Sequence, residues 1–217
     1  MAPGTPARAP GRNFLAISDS SSFFVAGWKE PACLRYLVEM AGVSRPTIVF
    51  VGAANGDCAN KQAQFFRLAE RAAFVPRTLS LFALADDRPE TFFAGADAIY
   101  VDGGSTRNLI ALMREWGADR ALIDAYRAGV PVAGASAGAN LMFEWGLTDS
   151  VVTRIDPIRG LGAIPGTVSV HHSTRPDRAR AFARHMACQP EGAAACLLDD
   201  GEFAHFRDEK LLARHAI

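Results

Sequence analysis

The chain shows neither a charge bias nor a long apolar run. Lys plus Arg and Asp plus Glu each number 23 in 217 residues, a formal net charge of +0. A balanced chain offers no single-signed field for nucleic-acid phosphates or an anionic membrane. No stretch approaches the roughly 20 apolar residues that span a bilayer. Cysteine is sparse, and Cys33, Cys58, Cys188 and Cys196 form no Cys-x-x-Cys pair. That spacing argues against a zinc site or disulfide framework and for reduced thiols in a cytoplasm. Met1 to Arg12 is rich in Pro, Ala and Gly. It has no apolar stretch after its charges, so it is unlike a signal peptide and reads as a disordered leader. What remains, residues 13–217, has an ordinary globular balance (49% hydrophobic and 21% charged over the whole chain) and is long enough for one α/β domain.

Apolar spacing predicts strands at Asn13–Ile17, Pro46–Gly52, Phe74–Leu81, Ala98–Val101, Gly129–Ala133, Thr167–Val170, Ala195–Leu198 and Glu202–Phe206. Helical spacing marks Glu30–Ala41, Asn60–Ala73, Asp87–Ala94, Thr106–Trp116, Ala118–Ala128 and Arg175–Met186. Strands alternating with helices of ten or more residues predict an α/β fold, a mostly parallel sheet with helices on both faces.

The most informative stretch is Gly134-Ala135-Ser136-Ala137-Gly138, which joins a buried strand to a helical run beginning at Ala139. Gly-x-Ser-x-Gly between strand and helix is the sequence form of a nucleophile elbow. The turn is sharp, so a Cβ at either glycine position would collide with strand or helix. Ser136 would stand at the tip, with the Ala137 N–H aimed where an oxyanion forms.

In an open parallel sheet, ligands bind beyond the carboxyl ends of the strands. Two other such ends carry unusual residues. Asp102-Gly103-Gly104-Ser105 could present backbone N–H groups to a ligand and complete an oxyanion hole. Val170-His171-His172-Ser173 ends a β-branched strand with a histidine pair, and a serine needs a base of that kind. No carboxylate or third histidine sits nearby at ligand spacing, so a metal site is disfavoured and no cofactor is implied. The base needs an orienting acid. Glu144, Asp149 and Asp156 lie between the nucleophile and the histidines, and Asp149, expected in a loop after the elbow helix, is favoured.

With Ala139, Asn140 and Leu141 added, the elbow closely resembles the Gly-x-Ser-Ala-Gly-Ala signature of peptidase E (aspartyl dipeptidase) and cyanophycinase. Gly103-Gly104-Ser105-Thr106-Arg107-Asn108-Leu109 looks like that family's Gly-Gly-Asn-Thr loop. His171-His172-Ser173-x-Arg175 looks like its His-aromatic-Ser-x-Arg segment. The order and separation of the blocks fit across residues 13–217. The resemblance implies a class I glutamine amidotransferase-like fold and a Ser–His–acid serine peptidase. In it Ser136 is the nucleophile, His171 the base and Asp149 the acid, and the N–H groups of Gly104 and Ala137 form the oxyanion hole.

The chain departs from the pattern at Asp102, Ser105 and His172. The last departure leaves open whether His171 or His172 is the base. Gly103, Ser105, His172 and Arg175 are expected around the substrate, with Arg175 the natural cation for a substrate carboxylate. The reaction expected is hydrolysis of small peptides, Asp-X dipeptides first, by a monomer or homodimer. Alternatives are a non-catalytic peptide- or anion-binding protein on the same scaffold and a hydrolase of β-linked aspartyl peptides. An α/β-hydrolase esterase is disfavoured because too little chain follows Ser136, and a glutaminase because its nucleophile would be cysteine.

Overall fold

The structure is a computed structural model and describes residues 10–24 and 31–216. Most of the expected leader lies outside the described residues. Its last residue, Arg12, is held in place by Glu209, with Nε–Oε1 and Nη2–Oε2 both at 2.7 Å.

The element order is β1 (Asn13–Ile17), α1 (Ala32–Ala41), β2 (Thr47–Val51), α2 (Ala59–Arg71), β3 (Val75–Leu79), β4 (Ala98–Val101), α3 (Thr106–Glu115), α4 (Ala118–Arg127), β5 (Val132–Ala135) and α5 (Ala137–Met142). It continues with β6 (Phe143–Val151), β7 (Arg154–Arg159), β8 (Ile164–Ser169), α6 (Pro176–Met186), β9 (Ala195–Leu197), β10 (Glu202–Arg207) and β11 (Lys210–Ala216). Seven strands form one sheet in the order β11-β10-β1-β5-β4-β2-β3. Its β1, β5, β4, β2 and β3 run parallel, and β10 and β11 add an antiparallel edge. The structure is α/β as expected, with a mostly parallel sheet and helices on both faces.

Alternation along the strands sorts the core into two layers. Leu15, Ile17, Ile48, Phe50, Tyr100 and Ala133 face α1 and α2, which bury Leu34, Leu37 and Phe65 against them. Phe14, Val49, Val51, Ile99, Val101 and Val132 face α3, α4 and α5, which bury Leu109, Met113, Leu122 and Leu141. β1, β2, β4 and β5 carry apolar side chains to both faces, as a covered parallel sheet requires.

Four expectations change. Asp87–Ala94 forms only a short 3-10 turn at Pro89–Thr91. α5 has six residues, after which the chain enters β6 directly. β6 and β7 then join β8 and β9 in a second sheet, ordered β7-β6-β8-β9. Glu144 and Asp149, expected in the elbow helix and the loop after it, therefore both lie on β6. β11 also was not expected. Among the described residues no helix is long and apolar enough to cross a membrane.

Candidate active site

Ser136 stands between the last residue of β5 and the first of α5, at φ 49° and ψ −102°. A positive φ at a residue with a Cβ costs about 1–3 kcal/mol and persists only where the surroundings enforce it. Here they do. The Ser136 N–H donates to the Ile17 carbonyl at 2.9 Å, and the Ser136 carbonyl accepts from Asn140 N–H at 3.0 Å. A Cβ on Gly134 would overlap the Gly138 carbonyl, and one on Gly138 the Val101 carbonyl. Those two glycines let helix, strand and neighbouring strand approach closely enough to close the turn.

Ser136 Oγ lies 3.0 Å from His171 Nε2. On the other side of the ring, Nδ1 is hydrogen-bonded to Asp200 Oδ1. A carboxylate can only accept, so Nδ1 carries the proton and Nε2 is left to accept from the serine hydroxyl. His171 also has a left-handed backbone, φ 52°. His172 points elsewhere. Its Nδ1 is 3.0 Å from Ser169 Oγ, and its ring packs edge-on against Phe182.

Asp149, expected to orient the base, is instead bound by two arginines: its Oδ2 accepts from Arg175 Nη1 and Arg178 Nη2, each at 3.0 Å. It lies on β6, not in a loop that can turn back to His171. Asp156 is on β7 and accepts from Arg154 Nε at 2.6 Å and Arg107 Nη2 at 3.2 Å. Glu144 faces Arg159 across the β6–β7 pair at 3.5 Å. None of these three candidates meets the imidazole. Asp200 was not among the acids expected from the sequence. The missed signal is register. β8 and β9 run parallel with Ser169 opposite Leu197, so the segments leaving both strands emerge side by side. Asp199 Oδ1 accepts from the Ser173 N–H at 2.6 Å, and Asp200 Oδ2 accepts from Thr174 Oγ1 at 3.0 Å.

The Gly103-Gly104 loop meets the serine from the β4 side. A Cβ built on Gly103 would stand 3.2 Å from the Ser136 Cβ. The Gly103 N–H is already used, donating to Ser20 Oγ at 3.1 Å. Gly104 adopts φ +141°, and a Cβ there would run into the Ala54 carbonyl. Asp102 is fully buried beneath this loop. It accepts from Tyr100 Oη at 2.9 Å and Asn55 Nδ2 at 2.8 Å, and Asn55 Nδ2 also reaches the Gly103 carbonyl at 3.1 Å. Burial, and then the charge of Asp102, push the Tyr100 hydroxyl well above its ordinary pKa, so it stays a donor. The acidic residue at 102 thus fixes the glycine loop from below.

Ser105 caps α3, accepting from Asn108 N–H at 3.3 Å, and its Oγ donates to Ser150 Oγ at 3.2 Å. Arg175 is gripped by Asp177 through Nε at 3.2 Å and Nη2 at 2.7 Å, besides Asp149. Hydrogen bonding to Asp177 leads the effects that raise its pKa. Its guanidinium is therefore shared between two carboxylates. Among the described residues no group of three or more His, Cys, Asp or Glu side chains is placed to hold a metal ion.

A model of peptidase family S51 matches residues 15–213. The chain belongs to peptidase family S51. This S51 peptidase is 36% identical over 181 residues to the uncharacterized peptidase YgaJ of Bacillus subtilis strain 168, covering 82% of this chain and 76% of that one. It is 31% identical over 100 residues to Peptidase E of Streptomyces coelicolor, a match spanning 40% of this chain and 41% of the relative. In fold it is similar to a protein assigned to peptidase E from Listeria monocytogenes EGD-e, with a TM-score of 0.69 and 15% identity over 95% of this chain and 99% of that one. A peptidase from an acI-B1 actinobacterium matches with a TM-score of 0.67 and 18% identity, over 91% and 84% of the two chains. The family makes the protein a serine peptidase, like peptidase E.

Proposed function

We propose that this peptidase hydrolyses small peptides, Asp-X dipeptides foremost, with Ser136 as nucleophile, His171 as general base and Asp200 as the acid that orients it. The observation that carries the reading is the pair of contacts on one imidazole: Ser136 Oγ at Nε2, 3.0 Å away, and Asp200 at Nδ1.

The chemistry follows from that arrangement. Ser136 Oγ attacks the scissile carbonyl carbon while His171 Nε2 takes the hydroxyl proton. The imidazolium that forms is stabilised by the Asp200 carboxylate, which does not itself take the proton. The carbonyl oxygen becomes an oxyanion, received by the N–H groups of Gly104 and Ala137. His171 then returns its proton to the leaving amine, and the C–N bond breaks to give an acyl-serine. A water attacks this ester with the same base, and the acid product leaves with Ser136 restored.

Selection for aspartate is assigned to Arg175, which is 40% exposed and could exchange Asp149 for a substrate carboxylate. Gly103 and Ser105, on the loop that meets Ser136 from the β4 side, are assigned to the substrate's surroundings, and His172 follows the base in sequence. Cys33, Cys58, Cys188 and Cys196 are all free thiols, which favours work in a reducing cytoplasm.

The test is a hydrolysis screen of Asp-X, Glu-X, isoaspartyl and neutral dipeptides with the natural protein and Ser136→Ala. Asp-X turnover that falls about 10⁶-fold in the variant is expected. Undiminished turnover by Ser136→Ala would remove the nucleophile assignment, and preference for a neutral dipeptide would remove the specificity.

A further inference from the structure

We propose that Ser18 and Asp19, at the end of β1, are positioning residues that hold His171 and Asp200 in register with Ser136. The proposal rests on the Ser136–His171 reading given above.

β1 lies beside β5 with Ile17 opposite Ala135, so the residue after β1 emerges next to Ser136. Ser18 is fully buried. Its Oγ accepts from the His171 N–H at 2.9 Å and donates to the Leu198 carbonyl at 3.2 Å. One hydroxyl thus joins the backbone of the base to the segment that leads into Asp200, and Asp200 Oδ1 stands 3.5 Å from it. The first of these bonds pins the peptide N–H of a residue held at φ 52°. Without a partner there, the left-handed conformation of a residue bearing a large side chain has little to maintain it.

Asp19 acts on the acid. Its Oδ2 accepts from the Gly201 N–H at 2.9 Å and from Ser22 Oγ at 2.6 Å. Its Oδ1 accepts from the Ser22 N–H at 2.9 Å and from Ser21 Oγ. Both oxygens are engaged twice, and the residue is only 8% exposed. Burial acts to raise its pKa, but the bonds from Ser21, Ser22 and Gly201 prevail and hold it near 2. It is therefore a fixed anion at neutral pH. Asp200 has a side chain 45% exposed, and the residue after it is stapled to Asp19. An acid so open to solvent needs such an anchor, because its own packing does not fix it. The same loop also holds the oxyanion side through Ser20 Oγ, which accepts from the Gly103 N–H at 3.1 Å. One five-residue turn, 18–22, therefore contacts all three arms of the site.

None of these groups touches the reacting atoms, so the effect is on alignment. A displacement of about 1 Å at a reacting group costs on the order of 10²-fold in rate. The experiment measures fluorophosphonate labelling of Ser136 in the full chain and the far-downfield proton resonance of the His171 Nδ1–H. Variants are Ser18→Ala, Ser18→Thr, Asp19→Asn and Ser136→Ala, each checked for folding by thermal melt. Expected are labelling about 10²-fold slower in Ser18→Ala and Asp19→Asn, loss of the downfield resonance in both, and recovery of rate and resonance in Ser18→Thr. Asp19→Asn keeps the side-chain size, so it carries the test should Ser18→Ala not fold. Folded Ser18→Ala or Asp19→Asn that labels at the natural rate with its resonance intact would overturn the positioning role. Equal loss in Ser18→Thr and Ser18→Ala would overturn the hydroxyl's part in it. A natural protein that does not label, or labelling that survives in Ser136→Ala, would instead strike the underlying serine–histidine reading.

Discussion

Two parts of the four-stranded sheet, the exit of β8 and β9 and the strand β6, set aspartates with opposite outcomes. Where β8 and β9 run out toward β1, Asp200 meets an imidazole and the serine beyond it. On β6, Asp149 meets Arg175 and Arg178 instead. Arg178 is nearly wholly buried, also donates to the Leu147 carbonyl at 3.0 Å, and has its pKa lowered by burial first. A carboxylate neutralised by two guanidiniums is a structural tie between β6 and α6. A carboxylate given to one imidazole can instead stabilise a proton that comes and goes. The same residue type serves either end depending on which neighbour the topology supplies.

The comparison can be broken first at the histidines, where the largest effect is expected. His171→Ala should lower kcat about 10⁶-fold, because triad members act as a unit. His172→Ala should stay within about tenfold, since its ring packs on Phe182 and bonds Ser169. Equal losses in steady-state kinetics would mean the two histidines share the chemistry.

Arg178→Ala sharpens the other side. It removes one of the two side-chain donors of the Leu147 carbonyl, which keeps Asn140 Nδ2 at 3.0 Å, and empties a buried volume, while Asp149, 44% exposed, keeps Arg175. A loss of about 2–4 kcal/mol in denaturant unfolding is expected. An unchanged unfolding midpoint would show that the tie contributes nothing.

The smallest effect is a pH dependence of stability shared by both sheets. Burial, then the charges of Arg207 and His215, push His205 on β10 down to about 4. Burial also lowers His185, which sits against Trp145 of the four-stranded sheet. Unfolding returns either histidine to about 6.5. Between those values the unfolded chain binds the extra proton. Stability is therefore full above about pH 6.5 and declines as the pH falls toward 4, by ~1–2 kcal/mol at pH 5 from His205. His205→Gln should flatten that decline in melts at pH 7 and pH 5. A decline of unaltered size would place its origin elsewhere.

Much of this was legible in the residues. The strands β1 and β4 and the helices α3 and α4 show clean apolar spacing, and the expected bounds fall within about one residue of those observed. Gly134, Ser136 and Gly138 mark a sharp turn because only small residues fit the close approach of α5 to β4 and β5. The second sheet was not legible. Phe143–Val151 carries Glu144, Trp145, Gly146, Thr148 and Asp149 with no strict alternation, since this strand is buried unevenly on its two faces. The elbow helix therefore looked longer than six residues, and Asp149 looked like a loop residue. Asp200 was hidden for a different reason. Its role depends on β8 and β9 being neighbours, a pairing between segments 28 residues apart that no local pattern encodes. Leu211 and Leu212 on β11 are both exposed, so that edge strand lacks the buried stripe that reveals a strand.

The most direct measurement sets Asp200→Asn beside Asp149→Asn in one kcat/KM assay on the dipeptide that the screen selects. In Asp200→Asn the amide can donate to Nδ1 and favour the wrong tautomer, and activity should fall about 10⁴-fold with the fold intact. In Asp149→Asn the loss should stay within about tenfold. A large loss in Asp149→Asn with Asp200→Asn close to the natural protein would contradict the assignment of Asp200 to His171.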